Sequence, residues 1–146
     1  MNLIVKKFNE LTINELYEIL KVRAAVFVVE QECVYQDVDG VDLESLHIFW
    51  EENGEILAYL RAFFKNKEEK LVQIGRVLTV ERGKGFGEQV MKAGIEAVRT
   101  ELKADKIFIE AQSYAVGFYE KFGFKVCGEE FLEDGIPHKP MELEFI

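Results

Sequence analysis

The sequence predicts an α/β (α+β) protein: one mixed, mostly antiparallel sheet flanked by about four helices. Three observations carry this expectation. Asn53-Gly54 separates two strand-like apolar runs, and both central residues of the favoured hairpin turn must tolerate φ > 0. A capping box followed by an apolar stripe marks an amphipathic helix after the first strand. A glycine-rich loop joins a later strand to a second amphipathic helix. Hairpin strands combined with strands that flank helices imply a mixed sheet with helices on its faces.

Residues 3–5 read as the first strand. Thr12 with Glu15 forms the capping box, flanked by Leu11 and Leu16 at the staple positions. Leu16, Ile19, Leu20, Val26 and Phe27 make the helix stripe, and Arg23 falls on it, an odd place for a solvated residue. Periodicity disappears between residues 30 and 46, where polar and acidic groups dominate. Strands are expected at 46–50, 55–64 and 71–80. A helix follows from about residue 85 to 103, with Val90, Met91, Gly94, Ile95, Val98 and Leu102 on one face. Residues 106–111 form a strand, 116–121 a short helix, and 124–131 and 140–145 two closing strands.

At 146 residues the chain has the length of one domain, and nothing resembling a repeat or linker divides it. Hydrophobic residues make up 49% and charged residues 31%, as in globular proteins that sit in water, so disorder is not expected. Eighteen basic against 27 acidic residues leave a net charge of −9. With no Lys/Arg block, such a chain repels nucleic-acid phosphate. Cys33 and Cys127 lack metal or redox spacing, so free thiols in a reducing compartment are expected. There is no apolar leader segment and no run of 18 apolar residues. These features point to a cytoplasmic protein without a membrane partner.

The loop Arg82-Gly83-Lys84-Gly85-Phe86-Gly87 sits where a helix begins. Unpaired N–H groups and a partial positive charge at such an end attract phosphate, and glycine lets backbone approach it closely. Arg82 and Lys84 add cationic side chains. A Walker A loop is ruled out by the missing Gly-Lys-Ser/Thr ending, and a dinucleotide fingerprint by Glu88 where a third glycine belongs. Two readings stay open on the loop alone: a pyrophosphate cradle of the form R-x-x-G-x-G, and a plain glycine-rich turn.

Arg82, Gly85 and Gly87, together with Ala115, Tyr119, Glu120, Lys121, Gly123 and Phe124, resemble the two motifs of the GNAT acetyltransferases. These come in the family's order and context, and the likeness spans essentially the whole chain. Segments 26–31, 35–40, 75–77, 111–112 and 133–138 narrow the resemblance to the ElaA-like branch. The resemblance implies a bacterial N-acetyltransferase with a sheet splayed at the CoA cleft. It implies acetyl-CoA as co-substrate, with no metal, and a small-molecule or peptide amine as acceptor. Leu78, Thr79 and Val80 would offer backbone groups to the pantetheine arm, residues Arg82 to Gly87 would hold the pyrophosphate, and Tyr119 would protonate the departing thiolate. Gln112 stands where the family often has Asn, and the connection from Arg76 to Arg82 is about two residues short of the usual length.

The acidic stretch with Glu30, Asp37, Asp39, Asp42 and Glu44 fails as a calcium loop, since centring it on Gly40 puts Tyr35 and Leu46 at ligand positions. It reads either as a solvated loop or, through the resemblance, as the wall of an amine pocket built from Glu30, Asp37, Asp39, His47, Asp134 and His138. His47 and His138, the two histidines, are each either structural hydrogen-bonders or a base. Glu110 is a further base candidate, Cys33 a weak candidate for a reactive thiol, and Arg23 and Arg76 either pair internally or meet a ligand. The expected activity is acetyl transfer from acetyl-CoA to a primary amine; the alternative is an acyl-CoA-binding regulatory module with little turnover. The oligomeric state is open, a homodimer included.

Overall fold

The computed structural model describes residues 1–32 and 35–145. Expectations for Cys33 therefore lie outside the described residues, while Cys127 is exposed and unpaired. Strands β1 (Asn2–Lys7), β2 (Leu46–Glu52), β3 (Glu55–Asn66) and β4 (Leu71–Thr79) form an antiparallel meander. The hairpin between β2 and β3 turns at Asn53 and Gly54, with φ of 53° and 79°. Next come helix α2 (Phe86–Ala97), β5 (Lys106–Gln112), the short α3 (Val116–Glu120), β6 (Lys125–Val126), β7 (Phe131–Glu133) and β8 (Ile136–Glu144). Helix α1 (Ile13–Arg23) lies between β1 and β2.

The strands form one sheet in the order β1-β2-β3-β4-β5-β8-β6, with β7 on β8. Only β4 and β5 pair in parallel among the described residues. Against the expected four or so helices, the described residues hold three α-helices and several single 3-10 turns.

Alternation along the strands feeds two cores. Ile48, Leu60, Ile74 and Ile107 turn to the face covered by α2, and Ile19 and Val22 of α1 cover Phe49, Tyr59 and Leu78 on the other. Burying these apolar stripes on opposite faces is what sandwiches the sheet. Thr12 caps α1 as expected: its Oγ1 accepts from the Glu15 amide at 3.0 Å, and the Glu15 carboxylate accepts from the Thr12 amide at 2.8 Å. Beyond Arg23 the helix continues in wide π turns over Ala24–Glu30, carrying Phe27 towards β4.

The C-terminal strands differ from the expected pair. β8 begins at Ile136 rather than at Pro140, and the expected strand over 124–131 is broken between Val126 and Phe131. Pro140 explains the break. Its carbonyl accepts from the Cys127 amide at 2.9 Å, so its backbone is turned to the 127–130 side, where a proline has no N–H to continue the ladder. Gly128 lies against the proline ring; a Cβ there would come within 2.8 Å of Pro140 Cγ.

Candidate active site

β4 and β5 are paired only over Leu71–Gln73 and Lys106–Phe108, and then they part. A parallel pair that stops after three residues leaves the β5-facing groups of β4 without a strand partner. The parting coincides with a bulge: Arg61 faces Gly75 and Tyr59 faces Leu78, so one residue of β3 spans two of β4. Arg76 sits in this bulge at φ 51°, a left-handed conformation costly for a non-glycine residue.

A closed ring of charges surrounds the bulge. Arg23 pairs with Asp37 at 3.1 Å and Asp42 at 2.5 Å, and Arg61 pairs with Asp42 at 3.0 Å and Asp39 at 2.7 Å. Arg76 completes the circuit with Asp39 at 3.4 Å and Asp37 at 2.9 Å. Three guanidiniums and three carboxylates alternate, each touching two of the opposite sign, so the charge balances. Arg61 holds the Asp39 carboxyl down to about 2, despite the opposing effect of burial. Burial works against Asp42's ionisation too, but hydrogen bonds from Arg23 and Arg61 keep its pKa below the usual range. Residues 37–42 are thereby tied to α1, β3 and β4 at once.

A cavity of about 520 Å³ opens where the strands part. Gln31, Arg76, Gln112 and Tyr119 line it, with Glu110, Glu133 and His138 on the β5–β8 side. Burial pushes the Tyr119 phenol up to about 12, with Tyr114 adding to the shift, so it stays protonated through the neutral range. Its ring is fixed edge-on against Phe118 and Phe124.

The glycine loop lies outside this cavity and is exposed. Gly83 and Gly85 adopt φ of 77° and 76°, and Gly85 caps α2 without a side-chain hydrogen bond. The first-turn amides of α2 are thus uncapped by any side chain, as an anion site requires. Phe86 is half-buried against the larger core. Gly87 lies between Thr79 and Phe118, each 3.6 Å from where its Cβ would stand. Lys84 pairs with Glu81 at 3.6 Å.

Several expected acceptor residues are elsewhere. His47 is fully buried and does not line the cavity. Its Nε2 donates to the Asp42 carbonyl at 3.0 Å and its Nδ1 accepts from Tyr59 at 2.8 Å, so both ring nitrogens are spent internally. Burial lowers its pKa and keeps it neutral. Asp37 is buried in the ring, outside the cavity lining, and Asp39 lines the cavity with its charge held by two arginines. Glu30 lies beside the glycine loop instead, accepting from Arg82 at 2.6 Å. Asp134 and His138 do line the cavity.

Backbone direction alternates along residues 77–80. Val80 donates its N–H to the Leu57 carbonyl at 3.1 Å, turning that amide towards β3. Alternation along an extended strand then turns Thr79 and Val77, rather than Leu78, towards the open edge. Arg61 belongs to no motif of the sequence, and its one signal is a charge inside the apolar run from Ile56 to Phe64, the same oddity that marks Arg23.

Among the described residues, no group of three or more His, Cys, Asp or Glu is placed to hold a metal, and no helix is long and apolar enough to cross a membrane.

The sheet parts between β4 and β5 beside a glycine-rich loop that opens α2, and residues 13–145 match the acetyltransferase (GNAT) domain. The chain belongs to that family. Among its relatives, a UPF0039 protein of Schizosaccharomyces pombe is 40% identical over 99% of this chain and 97% of its own. Protein ElaA of Escherichia coli is 40% identical over 94% and 93% of the two chains, and its crystal structure superposes with a TM-score of 0.91 over 98% and 99%. The crystal structure of an acyl-CoA N-acyltransferase from Pseudomonas aeruginosa, 37% identical, gives a TM-score of 0.90 over 97% and 99%. The chain is thus ElaA-like, with relatives in bacteria and in a yeast.

Proposed function

We propose that this protein transfers an acetyl group from acetyl-CoA to a primary amine on a small molecule or peptide. The observation that carries the reading is the early parting of β4 and β5, which opens the edge of β4 onto the cavity that holds Tyr119. An amide-bearing arm can add to that edge as a strand would, through the backbone of Val77 and Thr79. The uncapped first turn of α2, with Arg82, Lys84 and the glycines between them, suits a pyrophosphate. To reach it, Arg82 must leave Glu30; the pair is exposed, so opening it costs at most about 1 kcal/mol.

Acetyl-CoA supplies an activated thioester. The chain's part is to orient it, to polarise its carbonyl with an open-edge backbone N–H of β4, and to supply a proton from the Tyr119 hydroxyl. Gln112 faces the cavity with its amide 3.4 Å from Gln31, close enough for either to meet the arm or the acceptor.

Release of CoA thiol in the presence of small polyamines, amino sugars, amino acids and lysine peptides tests the proposal. Turnover with at least one primary amine, giving its N-acetyl product, is expected. Tight acetyl-CoA binding without turnover on any of them would instead favour the regulatory module.

A further inference from the structure

Glu110, Glu133 and His138 form a cluster on the acceptor side of the cavity that the acetyl-transfer reading leaves unused. Strand register brings them together: Gln112 faces His138 and Glu110 faces Pro140 across β5 and β8, while Phe131 faces His138 across β7 and β8. The His138 ring is stacked on Phe131, with centroids 5.8 Å apart and planes at 24°.

The tautomer follows from one contact. His138 Nδ1 lies 2.7 Å from the Ile136 carbonyl oxygen, which can only accept. The hydrogen is therefore on Nδ1, and the neutral ring carries its lone pair on Nε2. That atom is 3.7 Å from Glu133 Oε2. A lone pair and a carboxylate at this separation repel, unless a proton donor stands between them or the ring takes up a proton.

The carboxylates also differ from those of the charge ring. Among the described residues no arginine or lysine pairs with Glu110 or Glu133; Glu110 accepts from the Gln73 amide at 3.4 Å and is in side-chain hydrogen-bond contact with Glu133. Burial raises the Glu133 pKa, the charge of Glu110 adds to the rise, and His138 opposes it. Negative charge crowded without a fixed cation is what a cationic ligand relieves.

We propose that Glu110 and Glu133 receive the ammonium group of the acceptor and that His138 Nε2 takes its proton. This assignment rests on the acetyl-transfer reading. The ammonium gives one proton to Nε2, and the imidazolium formed is held by Glu133. The freed nitrogen lone pair bonds to the thioester carbonyl carbon. The C–S bond then breaks with its electron pair on sulfur, which takes the Tyr119 proton. A second proton from the nitrogen restores Tyr119, and His138 releases the first to solvent. An ammonium and a thioester thus become an amide, a thiol and one free proton.

The rest of the lining narrows the acceptor. Gln31, Gln36, Gln73 and Gln112 all face the cavity, offering amide donors and acceptors without charge. A compact amine bearing hydroxyl or amide groups suits that wall. An amine with a carboxylate beside it would meet Glu110 and Glu133 and be repelled. The titratable groups sharing the cavity with His138 are Glu110 from β5, Glu133 and Asp134 from the β7–β8 hairpin, and Tyr114 and Tyr119 beyond the splay. Tyr35 and the Arg61–Asp39–Arg76 part of the ring face it from the opposite wall.

The test uses ethanolamine, glucosamine and glycinamide as acceptors, with glycine as the anionic control. His138→Ala should lower kcat about 10²-fold or more and abolish the rise of rate with pH, while calorimetric binding of the amine changes less than about threefold. Added imidazole should restore part of kcat. Glu133→Gln, at an exposed hairpin position, should weaken amine binding at least about tenfold, a readout that needs no turnover. A His138→Ala protein with the wild-type pH profile, or a Glu133→Gln protein with unchanged amine affinity, overturns the assignment. Wild-type turnover distinguishes the two levels: if glycine or an aromatic amine is preferred, the cluster is misassigned; if no amine is acetylated, acetyl transfer itself fails.

Discussion

Replacing Asp42 by Asn tests whether the charge ring holds the loop over residues 37–42 in place. Asp42 Oδ1 accepts from both Arg23 and Arg61, and Oδ2 is buried with no partner. The amide keeps the shape and the Oδ1 acceptor, but leaves three guanidiniums facing two carboxylates in a buried site. Breaking a buried ion pair costs about 3–5 kcal/mol, and retention of one acceptor puts Asp42→Asn near the lower end, about 3 kcal/mol. For a domain of this size that lowers Tm by about 6–12 °C. Thermal and urea unfolding measure it, with an unchanged urea slope showing that stability alone has moved. Asp39 and Asp42 both have depressed pKa values, so their stabilisation is present above the unfolded carboxyl pKa and lost as pH falls through the folded one. With Asp39 at about 2, the wild type should lose stability between about pH 4 and pH 2, and the variant should lose less over that window. Removing a cation together with the anion, as in Arg23→Met with Asp42→Leu, restores the balance and should recover part of the loss. A Tm within about 2 °C of wild type for Asp42→Asn would refute the idea that this ring pins the loop.

Three further outcomes follow from the packing and the site. Gly94→Ala would bring a Cβ within 2.6 Å of Leu60 Cδ2 in the core, and chemical denaturation should show a loss of about 1–3 kcal/mol. Tyr119→Phe should lower kcat about 10²-fold with little change in acetyl-CoA affinity, and with the phenol at about 12 the wild-type rate should show no tyrosine ionisation below about pH 11. Glu30→Gln frees Arg82 for the pyrophosphate, so calorimetry should find acetyl-CoA bound about two- to fivefold more tightly.

The parts of the fold legible in the sequence were those set by local chemistry. The Thr12–Glu15 capping box, the Asn53-Gly54 turn and the apolar stripe of α2 are decided within a few residues. Pro140 shows the limit. Its effect falls on residues 127–130 through a ladder that composition does not reveal. The site divided in the same way. Tyr119 and His138 stand out in the sequence and both line the cavity, whereas His47 and Asp37 look similar in sequence and are consumed by Tyr59 and by Arg23 and Arg76. An acidic residue is a ligand or a structural ion according to where the arginines are. Those partners come from α1, β3 and β4, up to 39 positions away along the chain.

Residue-resolved amide hydrogen exchange, with and without saturating acetyl-CoA, reports whether acetyl-CoA adds to the open edge of β4. The Val77 and Thr79 amides, turned towards the parting of the strands, should slow markedly, as should those of Phe86 and Gly87 at the start of α2. The Val80 amide, already bonded to Leu57, should not change beyond the general gain in stability. Protection confined to another surface, or uniform slowing with no excess at Val77 and Thr79, would place acetyl-CoA away from the β4 edge.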